Sequence, residues 1–449
     1  MFHQKETRTS PVAIKPVKIP KNLIAVLSPA EILAGDKRQV LIQQIKEWGA
    51  LDAKRFDGLC LKLINQLTNY CQHLPETSNS YYALPGGILD YALNRTEAAL
   101  QLFRQYMVQH EGAELSEIQT LWLYAMFSAS LLKDIGKLQI DYLVKVFDPF
   151  GEPLKSWNPL IESLVSAGSY YKFEFLSDHE DKAPLRRRLN LLIARLLMPN
   201  DGFAWIASNP EVLAAWLALL SDDWRSAGTL GAILIRADSV AIQRYFNVNM
   251  IHHVGRGGVR AARIGTFIDT KPAASLAKEQ IMGVEFIKWL TESLEAGQIM
   301  LNKPPLLMVP GGLLIHPDAY KLFVRAHPEY KNWQSVQNGF LSLRLHGTNA
   351  NGDPLSRFEQ SNNHQMHEGI LFKKYAVALP NTVNMHNIYT GKAARISATE
   401  LIYLAQYNHL FVEQSLNATP KAPQHLTASG QWKHITNGLS QKPGFIKRG

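Results

Sequence analysis

Apolar residues recur at helical spacing almost without a break from Pro29 to about Tyr245, and the prolines stand between the periodic runs rather than inside them. Amphipathic runs cover Lys37–Gly49, Ala53–Gln72, Gly87–His110, Glu114–Leu132, Leu185–Leu197, Asn209–Leu220 and Gly228–Tyr245. Pro75, Pro85, Pro149, Pro153, Pro159 and Pro199 punctuate the joints. Ser28 followed three residues later by Glu31 is a capping-box signature at the first helix start. Strand-like runs are almost missing from this stretch, so the pattern predicts one all-α unit over 23–246. Residues 1–22, polar and without periodicity, read as a loose arm.

The periodicity then dissolves. Residues 247–282, rich in Gly, Arg and Ala, read as a flexible basic linker. A second compact region follows over 283–416. Its order is a helix ending at Gly297, two short strands around Gly311-Gly312, a helix opened by Pro317, and a helix Trp333–Leu345. A turn "TNANGD" and a β-rich return close it. Helix, strand, two helices and a two-stranded wing is the order of a winged helix. The expected fold class is therefore mainly α: an all-α domain, then a small α+β winged-helix-like domain. Residues 417–449 are polar and basic without acid and read as a disordered tail.

The charge is divided unevenly. Residues 1–254 hold 26 Lys+Arg against 26 Asp+Glu, whereas 255–449 hold 21 against 12, the whole net +9 of the 449-residue chain. A basic second half suits a polyanion such as nucleic acid; a solubilising surface has the same composition. The longest apolar runs, such as Val212–Leu220, fall short of the roughly 20 residues of a membrane span, so no membrane insertion is expected. The two cysteines, Cys60 and Cys71, have no metal-type spacing, and with no secretory leader in the N-terminal residues they suggest a reducing cytoplasm.

Chemistry concentrates at "FSASLLKDIGK", where an apolar helix delivers Asp134 at its end with Gly136 as the expected stop. This segment is similar to metal-dependent phosphohydrolases of the HD class, in which a His-Asp pair precedes Ile-Gly-Lys. The ordered set "LPETSNSYYALPGGILDYALNRTEAAL", "WLYAMFSASLLKDIGK", "GEPLKSWNP", "LMPNDGFAWIASNPEVLAAWLALLSD" and "LIRADSVAIQRYF" extends the likeness. With "FIKWLTESLEAGQIMLN" and "VPGGLLIHPDAYKLF" from the second region, the chain resembles MobH-class, TraI-type relaxases of integrative conjugative elements. That resemblance implies an HD-like domain, a winged-helix-like C-terminal domain, metal-dependent nicking at a transfer origin, and the conjugative secretion machinery as a partner.

The departures bear on activity. Ser80, Tyr81 and Tyr82 stand where the family has a histidine run, Tyr91 stands for a further His, and Lys133 for the His of the central pair. Asp134 and Asp238 keep ligand chemistry. Two carboxylates without imidazoles suit Mn, Fe or Zn poorly; Mg with extra water is the conceivable divalent ion, and no cofactor is assigned. His179 is the one nearby imidazole that could be recruited; in a charged loop it also reads as surface. An inward Lys133 ammonium would sit where a cation would, balancing Asp134 and Asp238; an outward one would only meet solvent. Tyr81 and Tyr82 read as aromatic packing, or as tyrosine nucleophiles of the kind other relaxase classes use. "RRR" at 186–188 reads as a solvated face that could touch phosphate. "HHVGRGGVR" lacks a P-loop's Gly-Lys-Ser/Thr ending, so a nucleotide-driven motor is unsupported.

In the second region, Gln334, Gln337, Asn338 and Arg344 form the polar face of the expected recognition helix, with Lys331 and His346 at its ends. Arg357, Lys373 and Lys374 fall on the expected wing. The reading is a DNA-processing protein of a conjugative element. A catalytically degenerate relative that binds DNA or scaffolds the transfer machinery is the alternative.

Overall fold

The computed structural model describes residues 22–107, 115–176, 182–257, 276–349, 352–387 and 390–414. The helical frame of the first region follows the periodicity. Helix Pro29–Leu33 opens with the Ser28/Glu31 capping box, Ser28 N and Oγ lying 2.8 and 2.7 Å from Glu31 Oε2. Helix Glu117–Leu132 opens with a second box, Ser116/Gln119. It is apolar on every side, and such a helix must run through the middle of a core. The long helices Gly87–Met107 and Trp224–Gly257 pack beside it. The latter kinks at Gly228 and continues past Asn247, beyond the point where the apolar periodicity fades.

The all-α expectation fails here. Four strands, β1 (Ile24–Ala25), β2 (Tyr142–Phe147), β3 (Pro153–Ser156) and β4 (Tyr170–Phe175), form an antiparallel sheet in the order β1-β4-β2-β3. β2 reads YLVKVF and alternates buried with exposed along most of its length, the period-2 pattern of a half-buried strand. Aromatic and β-branched residues dominate both β2 and β4, and Tyr142 pairs across to Phe175.

The winged-helix expectation fails as well. β5 (Leu306–Val309) and β6 (Gly312–Ile315) form the expected hairpin, and β7 (Leu355–Gln360) and β8 (Gln365–Phe372) the expected wing. However, β8 also pairs with β6, and β11 (Phe411–Gln414) returns onto β7. The result is a curled five-stranded antiparallel sheet, β11-β7-β8-β6-β5, with β9 (Thr382–His386) and β10 (Ala393–Ser397) as a separate hairpin. β5, β6 and the second half of β8 are buried, so the wing is part of a core rather than a free ribbon. Helices Lys278–Glu295 and Trp333–Ser342 cross so closely that a Cβ on Gly283 would lie 2.3 Å from the Gly339 carbonyl.

The two regions share one core. Tyr82, Tyr91, Ala241, Ile242 and Phe246 of the first are buried in the same apolar cluster as Phe286, Phe340, Phe372 and Ile402 of the second. The Trp224–Gly257 helix is the seam: Arg236 donates to the carbonyls of Ala376 (3.0 Å) and Leu379 (2.8 Å), and Gln243 to that of Val377 (2.6 Å). Of the expected linker, 258–275 lies outside the described residues, as do most of the expected arm and nearly all of the tail. No single described helix is long and apolar enough to cross a membrane.

Candidate functional site

The site forms where the Glu117–Leu132 helix ends. Lys133 leaves the helix with extended backbone, and Asp134 turns the chain in the left-handed region at φ 64°. Aspartate tolerates that region better than most residues. Gly136, the expected stop, has ordinary helical dihedrals. It is required for closeness instead: a Cβ there would lie 2.4 Å from the Arg186 carbonyl, and its N–H donates to Asn190 Oδ1 at 2.6 Å. This clamp aims the Lys133 and Asp134 side chains back into the protein.

The Lys133 ammonium lies 2.8 Å from Asp134 Oδ2 and 3.5 Å from Asp222 Oδ1. Arg95, one turn after Tyr91 on the Gly87–Met107 helix, places Nη1 3.3 Å from Asp238 Oδ1 and 4.0 Å from Asp134 Oδ2. Its other nitrogens donate to the carbonyls of Ser130 (2.8 Å) and Lys133 (3.0 Å), so it also fixes the helix end. Tyr91 donates to Asp238 Oδ1 at 2.5 Å. Lys374, from the second region, donates to Asp238 Oδ2. Three carboxylates therefore face four cations, Arg187 Nε standing 3.8 Å from Asp222 Oδ2 on the outer side. Asp238, Arg95 and Lys133 are buried, while Asp134, Asp222 and Lys374 keep side-chain exposures of 25%, 24% and 31% at the mouth.

The electrostatics follow from the pairing. Burial alone would raise the Asp134 and Asp238 carboxyls, but the surrounding Lys133, Lys374 and Arg95 charges hold both well below the usual carboxylate range. Burial likewise disfavours the Lys133 and Lys374 ammoniums, and the facing carboxylates outweigh it, raising both above their ordinary value. Asp222 is shifted upward by burial, with Lys133 offsetting only part. A second buried pair, Glu76 with Lys137, stands nearby.

The loop at the family's histidine run is packed shut. Ser80 donates to the Leu343 carbonyl at 2.5 Å, and Gln280 reaches the Asn79 carbonyl at 2.6 Å. The Tyr81 and Tyr82 rings lie 5.4 and 5.1 Å from Tyr91, and the Tyr82 hydroxyl donates to the Ala241 carbonyl at 3.0 Å. Burial pushes the Tyr81 and Tyr82 phenols upward, opposite to what a phenolate nucleophile needs.

A metal centre does not fit these residues. Among the described residues no three His, Cys, Asp or Glu side chains are grouped so as to hold an ion. The carboxylates are each met by a protein cation, and no imidazole stands among them. His179 lies outside the described residues.

The residues expected on a DNA-binding face separate. Lys331 and Gln334 are exposed beside helix Trp333–Ser342 and Gln337 is half-buried. Arg344 is exposed, at φ 53°, and reaches Ser78 Oγ at 3.3 Å. Lys373 is exposed beside it, and together they lower the His346 imidazole, after burial. Arg357 is paired with Glu368 at 2.5 Å. Lys374 turns inward to Asp238. Sequence reasoning missed Arg95 and Asp222. Arg95 carried a signal, a basic residue four after Tyr91 on a strongly apolar helix; Asp222 carried none.

A family model described as "Putative helicase", TraI_2, matches residues 24–258, just over half the chain. The chain belongs to the TraI_2 family. A second model, "Putative conjugal transfer nickase/helicase TraI C-term", matches residues 281–392. The TraI_2 chain is thus a TraI-type conjugative protein, similar to conjugative transfer nickases and helicases. No curated protein matches it. The two matched segments correspond to the two regions that meet at Asp238 and Lys374.

Proposed function

We propose that this TraI_2 chain, as a MobH-class relative, holds DNA during conjugative transfer through cationic residues of its C-terminal region, alongside the conjugative secretion machinery, and does not cut DNA at the Asp134 pocket. The observation that carries the reading is the charge closure of that pocket: Asp134, Asp222 and Asp238 are answered by Lys133, Arg95, Lys374 and Arg187. A metal-dependent nickase would need those cations displaced by an ion that has no imidazole to bind it. DNA contact is supported by the excess positive charge after residue 254 and by Arg344 and Lys373, which both stand near His346 beside the Ser78 loop. The test is retention of single- and double-stranded DNA by the full chain across a salt series. Binding that weakens steeply with salt supports the reading; no retention at low salt overturns it.

A further inference from the structure

The Trp224–Gly257 helix carries a second charged group on its other side. Arg236 is two residues before Asp238, about 200° around the helix, so the two guanidinium and carboxylate groups face opposite ways. Arg236 is 7% exposed and lines a pocket of about 250 Å³ between the two regions. Tyr106, Asn381, Thr382, Ser397 and Thr399 line the same pocket, and no carboxylate does. Arg236 Nη1 is satisfied by the Ala376 and Leu379 carbonyls. Nη2 has only a long contact, 3.4 Å, to Asn381 Oδ1. Five N–H groups with three such contacts leave donors on the Nε–Nη2 edge, the edge that binds oxyanions as a fork. Among the described residues, no Asp or Glu forms an ion pair with Arg236.

The pocket wall offers a hydroxyl and a helix start beside Arg236. Arg395 donates to Thr382 Oγ1 at 3.1 and 2.9 Å and has no acidic ion-pair partner among the described residues, so Thr382 can turn its own hydroxyl hydrogen elsewhere. Helix Ala398–Ala405 begins at the pocket with Ser397 as its cap, presenting the positive end of its dipole. A buried, charge-unpaired guanidinium is costly unless an anion completes it.

We propose that this pocket binds a phosphate group, held by the Nε–Nη2 edge of Arg236 and the Thr382 hydroxyl at the start of helix Ala398–Ala405, with Arg395 on β10 orienting Thr382 from behind. The site is distinct from the Asp134 pocket and does not rest on the DNA reading above. Its phosphate can come from a free monoester or from a nucleic-acid backbone.

The test is calorimetric titration of the full chain with inorganic phosphate, with dAMP and with a short single-stranded oligonucleotide, each at matched ionic strength in sodium chloride. Thr382→Val, on the pocket wall, and Arg395→Ala, which removes the donor to Thr382, are compared with the unaltered chain. The expected result is saturable binding of at least one ligand, weakened about tenfold or more by Thr382→Val, as loss of a charge-assisted hydrogen bond implies, and by a smaller factor by Arg395→Ala, which acts through Thr382. Binding of phosphate and dAMP identifies a monoester site, and binding of the oligonucleotide alone identifies a backbone site. Absence of binding by all three, or binding that both variants leave unchanged, overturns the proposal. Unaltered thermal unfolding of Arg395→Ala without ligand separates lost binding from lost folding.

Discussion

Replacing Lys374 with methionine removes the one cation that the second region contributes to the Asp238 site. Asp238 is 5% exposed and would keep Arg95 at 3.3 Å and the Tyr91 hydroxyl at 2.5 Å, so its charge is under-compensated rather than orphaned. Breaking a buried pair from one side costs about 3–5 kcal/mol. The surviving partners put Lys374→Met at the low end, about 3 kcal/mol at neutral pH. Adding Asp238→Leu should not recover that loss, because it takes from the buried Arg95 its nearest carboxylate and leaves only Asp134 at 4.0 Å. Urea unfolding of the full chain, followed by tryptophan fluorescence, reads both variants. If Lys374→Met unfolds within about 0.5 kcal/mol of the parent, a value typical of surface substitutions, the pair does not hold the regions together and the reasoning fails.

Two more consequences can be measured. Asp134 and Asp238 titrate below their ordinary 3.8 in the folded chain, so the stability they contribute is complete above that value and lost as pH falls below it. Lys133 and Lys374 titrate above 10.5, so their share is complete below that value and lost as pH rises through the folded values. The parent's stability against unfolding should therefore fall below about pH 4, and Lys374→Met should show a shallower alkaline loss than the parent. For DNA, Arg344→Ala and Lys373→Ala should each weaken retention and lower the salt slope by about one; unchanged slopes would remove these residues from the interface.

The helical frame was legible because it rests on local physics. The capping box at Ser28 and the apolar run into Asp134 are written in neighbouring residues, as is the contact of Lys133 with the carboxylate next to it. The strands β2 and β4 were also written locally, in YLVKVF and YYKFEF, and were obscured by the helical pattern on either side. The curled sheet was not legible in the same way. β11 pairs with β7 across more than fifty residues, and no local spacing specifies that register. Lys374 is the sharpest case: among basic residues on an expected wing it looks like a phosphate contact. Its inward turn depends on β8 being buried and on the 375–378 turn crossing the Trp224–Gly257 helix. Asp222 enters the site from the turn after helix Pro210–Leu220 at φ 57°, a placement that only the packed structure shows.

The most direct test of the closed-pocket account is supercoiled transfer-origin DNA incubated with the full chain and Mn, Mg or Zn, alongside elemental analysis of the same protein. Asp134→Ala and Lys133→His are assayed in parallel. The account predicts no stoichiometric metal in any of the three and no metal-dependent nicking that Asp134→Ala abolishes. It also predicts no gain of nicking on Lys133→His, because Tyr82 and Tyr91 still occupy the other imidazole positions and Lys374 still holds Asp238. One equivalent of a transition metal in the parent, or nicking lost on Asp134→Ala, would contradict it.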